Sequence, residues 1–124
     1  MFHFEQLQLN DHQPVYLQLA DHVKRQILLG YVSDGDSLPS RREIAMQTNV
    51  NPNTVQKACK RMEEEGYVVT DGNRLSTIRV TPQILEKIQN ELMLGICQEF
   101  VDKARQNKMT YKQAIDMISA LWDE

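Results

Sequence analysis

The chain is poor in the residues that carry covalent or metal chemistry. It has two cysteines, Cys59 and Cys97, 38 positions apart. No Cys-x-x-Cys pair exists, so neither a zinc ribbon nor a dithiol redox motif is indicated. Two buried thiols in a reducing cytosol are the plain expectation. The three histidines, His3, His12 and His22, all lie early, at spacings that do not suit ligands on one helix. They read as surface or packing residues. No Ser/His/Asp or Cys/His set, catalytic carboxylate pair or glycine-rich phosphate loop stands out. An enzyme is therefore not expected, and neither a cofactor nor a metal is. Long apolar runs are missing too. None approaches the roughly 18 residues of a membrane span, and the start, MFHFEQLQL, lacks the basic region and apolar core of a signal peptide. The expected setting is cytoplasmic, with no membrane partner. Positive charge is also short: 14 Lys and Arg against 17 Asp and Glu, a net charge of −3. That argues against coating nucleic acid through global charge, but leaves room for a local basic face.

What is present is a packed globular chain of 124 residues, 41% hydrophobic and 25% charged. Residues 1–13 are polar and mixed and read as an N-terminal arm. After Pro14, Tyr16, Leu19, Ala20, Val23 and Ile27 mark one face of a helix that stops at Gly30. A turn-rich loop follows around Asp34-Gly35-Asp36. Ser40 and Glu43 form a capping box that starts a short helix at Arg41, with Ile44 and Ala45 facing inward and Asn49 as a left-handed stop. Asn51 is the next cap, with Pro52 at the first helical position. Val55, Ala58, Cys59 and Met62 then make a buried stripe, and Gly66 ends the helix. From Tyr67 to Val80 the period changes to that of a hairpin with its turn at Asp71-Gly72-Asn73. Two further amphipathic helices complete the chain, one from Pro82 to about Asn107 and one after the Thr110/Gln113 capping box.

The expected fold is mainly α with a small β-hairpin. Helix, short helix, tight turn, helix and hairpin is the winged helix-turn-helix order, in which the second helix of the pair enters the major groove. Local charge agrees with that use. Between residues 37 and 62, Arg41, Arg42, Lys57, Lys60 and Arg61 stand against one acid, Glu43. Phosphate attraction acts locally, so such a face can hold DNA in an acidic chain. With Val55, Ala58 and Met62 committed to the core, Asn53, Thr54, Gln56, Lys57 and Lys60 project outward. Asn and Gln suit adenine edges, Thr a thymine methyl, and Lys guanine or phosphate. The competing reading is a winged helix used for protein interaction without DNA. The acidic run Glu63–Glu65 speaks for it, and the basic segment speaks against it.

Residues 14–80 resemble the DNA-binding domain of the GntR family of bacterial transcription regulators. The resemblance rests on PVYLQLADHVKRQILLGYVSDGDSLPSRREIA, on VNPNTVQKACKRMEEEGYV and on the hairpin. Within it, Gly35, Asp36, Leu38, Pro39, Ser40, Arg42, Ile44 and Ala45 follow the family's loop-to-helix pattern. Pro52 stands where many members carry Arg, and VNPNTV resembles the YtrA-like subfamily, whose short members end in two helices. The resemblance implies contacts with double-stranded DNA from Ser40 and Arg42, with Arg41 beside them. It implies that Asn51, Asn53, Thr54, Gln56 and Lys57 face the groove. The wing lacks the family's second glycine, leaving Asn73 and Arg74 as its DNA-contacting candidates.

Residues 81–124 hold Ile84, Ile88, Leu92, Ile96 and Phe100 on one helix and Ile115, Ile118 and Trp122 on the other. Two helices alone bury little, so this stripe needs a partner. Either it folds back on residues 1–80 as a cap, or it meets the same helices of a second copy; the expectation is the latter, a two-helix dimerisation tail making a homodimer that binds a palindromic operator. The resemblance implies the same, with a repressor of an adjacent operon, often one for a transporter. Met93, Met109 and Met117 offer adaptable packing for a small-molecule effector between the tail and the DNA-binding domain.

Overall fold

The computed structural model describes residues 2–72 and 75–124. Its elements run α1 (Val15–Leu28), α2 (Arg41–Thr48), α3 (Pro52–Glu65), β1 (Val68–Thr70), β2 (Ser76–Ile78), α4 (Pro82–Gln106) and α5 (Tyr111–Trp122), after a single 3-10 turn at Phe4–Gln6. The chain forms two compact units, Met1–Gln89 and Asn90–Glu124.

The first unit is built on α3, against which both α1 and α2 pack. Leu19, Ala20, Val23 and Ile27 of α1 meet Val55, Ala58, Cys59 and Met62 of α3 in a core closed by Ile44, Tyr67, Val68 and Ile78. The helix ends follow local chemistry. Ser40 Oγ accepts from the Glu43 amide at 3.1 Å, and Glu43 accepts from the Ser40 amide, completing the expected box. Asn49 ends α2 at φ 57°, in the left-handed region. Asn51 Oδ1 then accepts from the Asn53 amide at 2.8 Å and starts α3. Gly66, at φ 89°, turns the chain out of α3 into the hairpin.

β1 and β2 pair antiparallel, Val68 opposite Ile78 and Thr70 opposite Ser76. The loop before α2 adds to the free edge of β2. Gly35 N donates to Ile78 O, Ile78 N to Asp36 O and Leu38 N to Ser76 O, at 2.8–2.9 Å. Asp34 accepts from the Val80 amide at 2.7 Å. The Asp-Gly-Asp loop therefore clasps the wing to the start of α2.

The N-terminal arm packs on α1. Phe4 is fully buried, its ring 5.4 Å from that of His22, and the His22 Nε2–H donates to the His3 carbonyl at 2.9 Å. Burial pushes the His22 pKa down, against that hydrogen bond. Gln18 of α1 donates to the carbonyls of Asn10 and Gln13 and accepts from the Asn10 amide. One buried amide thus fastens the incoming chain to the first helix.

The first compact unit runs on into α4. The start of α4 belongs to the first unit, where Ile88 is buried. Ile88, one of the residues of the expected dimerisation stripe, is covered within its own chain. Ile84 and Leu92 are half-buried.

The second unit is the remainder of α4, a turn and α5. α4 closes with Lys108 at φ 57°, Met109 N donating to Ala104 O and Lys108 N to Arg105 O. That is a Schellman stop without glycine. Thr110 and Gln113 form the expected capping box of α5. Ala114 is the one buried side chain of this unit, while Ile96, Phe100, Ile115 and Trp122 are exposed and Ile118 is half-buried.

Candidate nucleic-acid interface

α3 presents two faces and two unlike ends. Asn53, Gln56, Lys57 and Lys60 are exposed, and Thr54 is half-buried. Asn51 is exposed as well, with its carbonyl oxygen engaged as the cap. The first turn of the helix leaves backbone N–H groups at a positive dipole end, which suits phosphate. Ser40 and Arg42 are exposed at the start of α2. Asn73 and Arg74 lie outside the described residues. Beside them the wing is closed by Asp71, which accepts from the Leu75 amide at 3.1 Å, and Leu75 itself is exposed.

Arg41 is placed differently from Arg42. Its guanidinium lies 3.3 Å from Glu63 of α3 and donates to it. It braces α2 on α3 instead of standing free beside Arg42. Cys59 is buried, which raises its pKa despite Arg41, so this thiol stays protonated.

The acidic end of α3 is spent inside the protein. Glu63 accepts from Arg41 and from the Thr70 hydroxyl of β1 at 2.7 Å. Glu65 accepts from Lys24 of α1 at 2.9 Å and from Arg61 one turn back at 3.2 Å. Lys24 is buried, its side chain 8% exposed, with its ammonium 5.5 Å from the Tyr67 ring centroid. Burial works to raise the Glu65 pKa, but the hydrogen bonds and charges of Lys24 and Arg61 outweigh it and hold the carboxyl below its ordinary value. Two of the three glutamates thus anchor α3 to α1, α2 and β1, at the end opposite the capped start.

Tyr16, whose spacing puts it on the core stripe of α1, is half-buried, with the Lys57 ammonium 4.2 Å from its ring centroid. A helical stripe has edges, and a residue at the edge can serve both the core and the neighbouring surface.

Residues 15–76, from α1 to the start of β2, match the model of the bacterial regulatory proteins of the gntR family. The chain belongs to the GntR family. An HTH-type transcriptional regulator of Bacillus subtilis, YhcF, is 32% identical over 111 residues, covering 90% of this chain and 92% of that one. The HTH-type transcriptional repressor YtrA of the same organism is 46% identical over 57 residues, 46% of this chain and 44% of its own length. In fold, a GntR family transcriptional regulator from Listeria monocytogenes superposes with a TM-score of 0.77 at 23% identity, over 90% of this chain and 98% of that one. The GntR assignment makes the α2–α3 pair a DNA-binding helix-turn-helix and the protein a transcriptional regulator, not an enzyme. No helix among the described residues is long and apolar enough to cross a membrane.

Proposed function

We propose that this regulator binds a palindromic operator as a homodimer and acts as a repressor. Residues Asn90–Glu124 carry the dimer reading. A 35-residue unit with one buried side chain, and with Leu94, Ile96, Phe100, Leu121 and Trp122 exposed, leaves its apolar surface for a second copy. Pairing would place two copies of α3 on two half-sites. Each α3 docks with its capped start in the groove and its acidic end away from DNA. In that pose Asn53, Thr54, Gln56 and Lys57 meet bases or phosphates, and Ser40, Arg42 and Lys60 flank them. Repression is supported by the relative YtrA, which bears the name of a repressor. The resemblance to YtrA-like regulators suggests an adjacent transporter operon as the target.

The test is a titration of the protein against DNA from upstream of its own gene at two salt concentrations. With Arg42, Lys57 and Lys60 of two chains on phosphates, the log–log salt slope is about −5, so affinity falls roughly thirtyfold between 0.1 and 0.2 M salt. The stoichiometry is two chains per duplex. Salt-independent binding would remove the phosphate contacts, and one chain per site would remove the dimer.

A further inference from the structure

Lys57 is the one basic residue of α3 that lies over an aromatic ring among the described residues. The ring belongs to Tyr16, on the second residue of α1, outside the helix-turn-helix pair. The two side chains are held very differently. Tyr16 stands on a helix fixed by Leu19, Ala20 and Val23 in the core, and it is half-buried there. Lys57 is exposed, at the end of a flexible four-carbon stem. The ring face attracts the ammonium and occupies one side of it. The remaining N–H donors stay available to a phosphate oxygen or a guanine edge. Arg61, the next basic residue along that face, is instead engaged by Glu65.

We propose that Tyr16 is a positioning residue of the DNA interface, stationing the Lys57 ammonium before DNA arrives. The proposal rests on the reading that Lys57 meets DNA. Ordering a side chain in advance removes part of the cost of ordering it on binding. The ring contact therefore appears as operator affinity more than as fold stability.

A double-mutant cycle separates the proposal from that reading. Wild type, Tyr16→Leu, Lys57→Met, the double variant and Tyr16→Phe are titrated by fluorescence anisotropy. The probe is a duplex that the wild-type protein has selected from a randomised pool. Tyr16→Leu is expected to weaken binding about two- to fivefold when Lys57 is present. In the Lys57→Met background it changes nothing. Tyr16→Phe, which keeps the ring, binds as the wild type does. A purely structural Tyr16 would weaken both backgrounds alike and overturn the proposal. So would tighter binding by Tyr16→Leu, which would mean that the ring withholds Lys57 from DNA. Wild-type affinity in Lys57→Met alone would refute the Lys57 contact itself. If Lys57→Met weakens binding while Tyr16→Leu does not, the Lys57 reading stands and the Tyr16 proposal falls.

Discussion

Glu65 joins two cations from two helices, and one of them, Lys24, is buried. A lysine is tolerated at such a position because its ammonium finds a carboxylate and an aromatic face. Removing the carboxylate takes the opposite charge away from a buried ammonium. Glu65→Gln is therefore expected to lower unfolding stability by about 1–3 kcal/mol at neutral pH, read from urea unfolding. The pH dependence has a definite sign. The carboxyl is held below its ordinary value, so its contribution is complete above about pH 4.5 and is lost as the pH falls through its lower folded value. The gap between wild type and variant should narrow in acid, and a gap that persisted at pH 2 would contradict the pairing. The Arg61 contact is legible as an i,i+4 spacing, but the Lys24 contact is not. Lys24 stands 41 positions from Glu65, and helical periodicity says nothing about which charged residue a distant helix end will cover. The run Glu63–Glu65 looked like an acidic patch because its partners come from α1, α2 and β1.

Single elements were far more legible. The boundaries of α2, α3 and α5 follow from short-range chemistry that the sequence displays: Ser40 with Glu43, Asn51 with Pro52, Thr110 with Gln113, and Gly66. The left-handed Asn49 also follows, since it must turn the chain within two residues of the next cap. Asn49→Ala is expected to cost about 1 kcal/mol, because a Cβ without a local hydrogen-bonding group is strained at φ 57°. Asn49→Gly should match or exceed the wild type. Thermal melts of the two variants check this, and equal melting temperatures would remove the argument. The packed N-terminal segment was not legible, because it is held by Phe4 and by side-chain to backbone bonds from Gln18, which leave no periodic trace. The stripe of α4 was recognised, but repeats every four residues do not say who covers them. Ile88 and Ile96 share one stripe, yet one is buried and the other is 70% exposed.

For the whole molecule, the division at Gln89 sets where a truncation should fall. A chain ending at Gln89 keeps Ile88 in its core. It is expected to fold, to sediment as a monomer and to lose most operator affinity, while the full chain sediments as a dimer. A dimeric fragment would place self-association in the first unit and refute the tail assignment. Trp122, 83% exposed, supplies a second readout: its fluorescence should shift to shorter wavelength as the full chain associates. One consequence reaches beyond a single protein. On α3, the positions that hold the helix (Val55, Ala58, Cys59, Met62, Glu63 and Glu65) interleave with exposed positions such as Asn53, Gln56 and Lys60, and the two sets share no residue. A duplicated copy of the gene can thus drift at the exposed positions one codon at a time without passing through an unfolded intermediate. New regulatory addresses are then open to such a lineage by small steps, on a scaffold that stays the same.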